Sequence, residues 1–169
     1  MELEVKQGTS VRFRITRGCF ESQAPYDPKH ADAVIVDCSD GRFTASNGDF
    51  IERMFGKPYA DKLELPGGTA TLHTLSSGTF FEVEVVRAKL VFLVRAHHSR
   101  LVILLAHETC GHYAAKYAGR SPEDIRNIQL SDLATVTRDL RPRFPGVEVR
   151  AFFKRPVNDR MVFDEIVPD

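Results

Sequence analysis

Ala33-Val34-Ile35-Val36-Asp37-Cys38-Ser39-Asp40-Gly41-Arg42 is the stretch that decides the fold. Its opening run is short, apolar and without polar alternation, which suits a parallel strand buried on both faces. Chemically active side chains follow at once, with Cys38, Asp40 and Arg42 crowded into the turn. A second stretch has the same design: Leu101-Val102-Ile103-Leu104-Leu105-Ala106 runs into His107-Glu108-Thr109-Cys110-Gly111. Open α/β sheets carry their sites in the crevice beyond the carboxyl ends of the strands, so two such ends can deliver one set of ligands.

Between and around these runs the chain reads as alternating elements. Val11 to Ile15 alternates apolar and basic residues, as a strand near an edge does. Ser46 or Asn47 is positioned to cap a helix through Asp49 to Phe55, which Gly56 and Pro58 would stop. Lys62 to Leu65 reads as a short strand, ended by Pro66-Gly67-Gly68, a turn that allows positive φ or close backbone approach. Phe80 to Ala96 is long enough for a helix, the crossover that a following parallel strand requires. A helix is expected from Gly111 to Ala118, with Cys110 near its N-terminus, where the dipole favours a thiolate. Ser121-Pro122 and Ser131-Asp132 each read as helix starts, Val147 to Phe153 as a strand, and Met161 to Phe163 as a further strand at the edge. This order predicts an α/β fold: a mainly parallel sheet of about four core strands plus an edge strand, with helices on both faces.

The 169 residues suit one domain, with residues 1–30 as an N-terminal extension or edge segment. Lys plus Arg and Asp plus Glu number 23 each, so the balanced charge predicts no nucleic-acid or membrane partner, favours a small neutral substrate, and is consistent with a homo-oligomer. Phe80 to Ala96 carries five charged residues, too many for a membrane span, and the N-terminus lacks the pattern of a secretory signal; a cytoplasmic protein is expected. In a reducing compartment the three cysteines point to metal binding or burial, with Cys19 read as a plain buried or partly buried thiol.

Two thiolates and an imidazole form a soft-to-borderline donor set that suits zinc, and three protein ligands leave a fourth position for chemistry. Asp40 and Arg42 lie two residues apart; paired, Arg42 would keep Asp40 ionised and oriented, whereas a released Asp40 could itself ligate the metal. Cys-x-Asp-x-Arg after an early core strand and His-x-x-Cys-Gly after a later one resemble the paired motifs of the β-class carbonic anhydrases, over roughly Ala33 to Gly119. The resemblance implies Cys38, His107 and Cys110 as zinc ligands, and Asp40 with Arg42 as the catalytic pair. It further implies reversible hydration of carbon dioxide to bicarbonate by a zinc-bound hydroxide, and a homodimer or higher homo-oligomer. One departure stands out: Glu64-Leu65-Pro66-Gly67-Gly68 occupies the place of the family's Arg-Asn-Ala-Gly, keeping glycines without the Arg-Asn part. The same chemistry on a carbon dioxide analogue such as a carbon-sulfur compound, or a non-catalytic zinc-binding homologue, are the alternative readings. His112 is placed either to relay protons or simply on a helix surface; His30 and His73 have no partner visible in the sequence.

Overall fold

The structure, a computed structural model, describes residues 2–5, 11–14, 18–24, 26–74, 76 and 78–168. Strands β1 (Glu2–Val5) and β2 (Val11–Arg14) pair antiparallel as a two-stranded sheet of their own, described by backbone alone. Ile15, expected in the second of these, lies outside the described residues.

The main sheet is built from β3 (Ala33–Cys38), β4 (Asp61–Leu65), β5 (Leu101–His107), β6 (Glu148–Val157) and β7 (Arg160–Glu165), in the order β4-β3-β5-β6-β7. The first four are mutually parallel and β7 closes one edge, as the sequence pattern predicts; β7 runs antiparallel to β6. Helix α1 (Thr44–Phe55) links β3 to β4, and α2 (Phe80–Ala96) carries the chain back past β3 to β5. Short α3 (Gly111–Lys116) and long α4 (Pro122–Leu140) then connect β5 to β6. Right-handed crossovers put connections that run in opposite directions on opposite faces of a sheet. Accordingly Phe50 and Ile51 of α1 pack on Ile35, Ile103, Leu105 and Phe152, while Val86, Leu90 and Val94 of α2 join Leu133, Val136 and Leu140 of α4 over Val34, Val36, Val102, Leu104 and Phe153. All seven residues of β5 are buried, which is why its sequence shows no alternation.

Two helix boundaries differ from the sequence expectation. Helix α1 begins at Thr44, straight out of a 3-10 turn at Gly41–Phe43, so neither Ser46 nor Asn47 caps it. Asn47 is instead buried and turned to the sheet, where its Nδ2 donates to Asp37 Oδ2 at 2.7 Å. Ser131-Asp132 does not start a new helix either, because no Gly or Pro interrupts Pro122–Leu140 and the Asp132 side chain is engaged sideways, accepting from Tyr113 Oη at 2.8 Å. The expected stop of α1 and start of α4 do hold: Gly56 ends α1 in the left-handed region at φ 64°, and Ser121 caps α4 by accepting from Asp124 N.

Candidate metal centre

The chain runs from β3 one way to β4 and then returns across β3 to β5, so the direction of winding reverses between β3 and β5. That switch point opens a crevice at the carboxyl ends of the two strands. Cys38 ends β3, His107 ends β5, and Cys110 stands one turn beyond, immediately before α3. The tight reversal from His107 to Cys110 holds Thr109 at φ 59°, a strained setting for a β-branched residue.

One ligand atom from each of Cys38, His107 and Cys110 lies within 4.8 Å of the others, and the two sulfurs are 4.0 Å apart. His107 and Cys110 are buried and Cys38 is half-buried. His107 Nδ1 is 2.7 Å from the Glu108 carbonyl oxygen, which can only accept, so the ring proton belongs on Nδ1 and Nε2 carries a lone pair. Nε2 is buried and makes no hydrogen bond. An orphaned buried nitrogen beside two sulfurs fits a soft divalent cation.

Donation from the Cys110 thiol, helped by the Gly67 and Asp40 amides, brings the Cys38 thiol well below its ordinary value against the effect of burial. The same contact and burial push Cys110 up, although the Tyr113 and His112 amides at the start of α3 oppose this. The amides at the start of α3 thus act on Cys110 in the sense its place before a helix predicts, and the Cys38 sulfur 4.0 Å away acts against them.

Asp40 and Arg42 are paired in two-pronged fashion: Nε lies 3.0 Å from each carboxylate oxygen and an Nη 2.6 Å from Oδ2. The Arg42 guanidinium holds the Asp40 carboxyl down at about 2. Its side chain also accepts from Arg42 N, which shapes the 3-10 turn. Asp40 is thus oriented by arginine and stands outside the cluster of mutually close ligand atoms.

The departing segment Pro66-Gly67-Gly68 is packed against this site. Gly68 sits at φ 53°, and a Cβ there would come within 2.5 Å of Cys38 N; one at Gly67 would meet the His112 ring at 2.7 Å. Both glycines are required by close approach, as the turn's composition suggests. His112 is accordingly no open surface residue: it is half-buried over Gly67, with Nε2 3.2 Å from Ser76 O.

Several polar groups near the site have no signal in the local sequence. Lys154 of β6 is fully buried with Nζ 2.5 Å from Asp37 Oδ2 and 3.3 Å from Asn47 Oδ1. Burial pulls its pKa down while the charge of Asp37 pushes it up. Buried Asp132 gathers Ser76, Tyr113 and, at 3.1 Å, His73 Nδ1, which supplies the partner that His73 lacks in sequence. His30 stacks on His97 at 4.5 Å, and His97 Nδ1 lies 2.5 Å from Asp61 Oδ2, so both belong to a surface cluster away from the cysteines. Cys19 is exposed rather than buried. Beside Cys110, a cleft of about 900 Å³ is walled by Thr109, Ile125, Arg126, Gln129 and Leu130.

A parallel α/β sheet with a soft three-donor cluster and an arginine-held carboxylate at its switch point defines a candidate metal-dependent enzyme of the doubly wound class. Comparison with known proteins makes this specific. A family model described as "Putative carbonic anhydrase" matches residues 29–155, about three-quarters of the chain and every residue of the cluster. Among solved structures, the β-carbonic anhydrase CafA of Aspergillus fumigatus is similar with a TM-score of 0.53 at 14% identity, over 83% of this chain and 78% of that one. The carbonic anhydrase of Streptococcus mutans is similar with a TM-score of 0.52 at 16% identity, over 86% and 88%. Two tetrameric β-carbonic anhydrases of Sordaria macrospora are represented by a match with a TM-score of 0.51 at 14% identity, over 80% and 81%. No curated protein matches the chain. The chain belongs to the carbonic anhydrase family that the model describes, and its fold is that of the β-class enzymes. Among the described residues no helix is long and apolar enough to cross a membrane.

Proposed function

We propose that the protein is a zinc-dependent carbonic anhydrase that hydrates carbon dioxide reversibly to bicarbonate, with Cys38, His107 and Cys110 as metal ligands and Asp40 and Arg42 as the catalytic pair. The observation that carries this reading is the buried, unpartnered His107 Nε2 beside two sulfurs 4.0 Å apart. Zinc bound there supplies the Lewis acidity that makes hydroxide available near neutral pH. Asp40, kept ionised by Arg42, accepts the hydrogen bond of the attacking water and so turns a lone pair toward the carbon. Arg42 keeps that carboxylate fixed and off the metal. Glu108 fixes the His107 ring through its carbonyl, and Gln129 Nε2 donates at 2.8 Å to the His107 carbonyl, so the ligand's ring and its backbone are both held. The apolar stretch of the cleft beside Cys110, Ile125 and Leu130, suits a small uncharged substrate.

Stopped-flow hydration by the zinc-loaded protein, beside Asp40→Ala carrying the same metal, tests the reading. Catalysis in the wild type and a loss of at least about 100-fold in the variant are expected. One equivalent of zinc with no hydration at any pH contradicts it and leaves a non-catalytic zinc-binding homologue. Pro66-Gly67-Gly68, packed against Cys38 where the family has Arg-Asn-Ala-Gly, favours a second reading: the same centre acting on a carbon dioxide analogue such as a carbon-sulfur compound. Turnover of such a compound without carbon dioxide hydration would select it.

We further propose a homo-oligomer, in keeping with the tetramers of Sordaria macrospora. Helix α2 offers Phe81, Val85, Ala88 and Phe92 on one exposed stripe, flanked by Glu84 toward one end and Arg95 toward the other. Two copies packed antiparallel would bury the stripe and bring these unlike charges together. We propose a cytoplasmic location as well, a reducing compartment being one in which metal-binding thiols stay reduced.

A further inference from the structure

We propose that Lys154 is a positioning residue for the metal ligands: its buried ammonium ties the end of β3 to β6 and fixes both Cys38 and the His107 ring. The inference rests on the metal-site reading above.

Lys154 pairs in register with His107, one strand over, and both it and Asp37 are wholly enclosed. Strands β3 and β6 are not neighbours; β5, which carries His107, lies between them. The Lys154–Asp37 bridge, 2.5 Å long, therefore spans the very strand that presents the imidazole. Two contacts of this bridge lead to ligands. Asp37 Oδ1 accepts from Cys38 N at 2.7 Å, which sets the backbone from which the first sulfur projects. The ammonium lies 4.3 Å from the centre of the Phe43 ring, and Phe43 in turn packs on the His107 ring at 4.4 Å. Asn47 of α1 completes the network, donating to Asp37 and accepting from Lys154.

Stability alone gives no reason for this arrangement. Replacing a buried ion pair by apolar residues of similar volume is often neutral or stabilising. What such a pair supplies is direction, since it holds its partners at one distance and angle, and partners that orient metal ligands commonly set affinity by about 10- to 100-fold.

Lys154→Met tests the proposal through zinc affinity, measured by competition with a chromophoric chelator, and through the visible spectrum of the cobalt-substituted protein. The expected result is a folded variant whose zinc affinity falls about 10- to 100-fold and whose cobalt bands shift. A purely structural lysine would lower the melting temperature and leave affinity and spectrum, measured far below it, as in the wild type; that result overturns the proposal. Should Lys154→Met fail to fold with Asp37 left unpaired, Asp37→Asn/Lys154→Met removes both charges, and the same loss of affinity is expected of it; wild-type affinity there overturns the proposal equally. A wild-type protein that takes up no zinc overturns the metal-site reading and this inference with it, whereas a zinc-binding wild type with an indistinguishable variant overturns this inference alone.

Discussion

Asp40 owes its place and its charge to one neighbour. With Arg42 against it the carboxyl titrates at about 2. Arg42→Gln should return it toward about 4, read by carbon-13 NMR titration of the carboxylate; an unchanged value would assign the effect to the backbone instead. Because the folded value lies below the unfolded one, any stability Asp40 contributes is present above about pH 4 and lost as pH falls through about 2. Gly68 gives a second test at this scale. An alanine there must hold φ 53° and place its Cβ 2.5 Å from Cys38 N. Gly68→Ala should cost roughly 2–4 kcal/mol in urea unfolding and weaken metal binding by displacing Cys38. The candidate ligands, Asp40 and Arg42 were legible in sequence because each motif is local, spanning five residues at the end of one strand. Lys154 was not. After Ala151-Phe152-Phe153 a lysine reads as a strand reaching water, and the aspartate that explains its burial stands 117 residues away.

The limits of an element are legible in sequence wherever local chemistry sets them. Ser121 caps α4 and Gly56 stops α1, both as the sequence predicts, and Thr79 caps α2. Ser121→Ala should cost about 1 kcal/mol by thermal or urea unfolding, because the first-turn amide of Asp124 loses its acceptor. The start of α1 escaped because two polar residues suited to capping, Ser46 and Asn47, lie inside the helix, and only the tertiary structure shows Asn47 committed to Asp37. Helix α2 is where element and proposed assembly meet. Phe92 is 66% exposed on a stripe with Phe81 and Val85, so Phe92→Asp should shift sedimentation toward the monomer without unfolding the chain. An unchanged sedimentation coefficient would move the interface elsewhere.

At the scale of the whole molecule, the site is a consequence of winding order. A strand order of β4-β3-β5-β6-β7 puts the reversal between the two strands whose ends carry cysteine and histidine, although they lie far apart in sequence. The alternation of elements predicted the parallel sheet, but only the observed order shows that β3 and β5 are neighbours. Metal held by both strands should couple to folding. Each tenfold rise in free zinc above its dissociation constant should add about 1.4 kcal/mol to unfolding free energy, and Cys38→Ser should abolish most of that gain. The most direct measurement is zinc X-ray absorption on the wild-type protein with its metal content determined. One zinc per chain with two sulfurs at about 2.3 Å and a nitrogen at about 2.0–2.1 Å is the predicted result. A chain that holds no zinc, or a zinc shell without sulfur, would contradict the account.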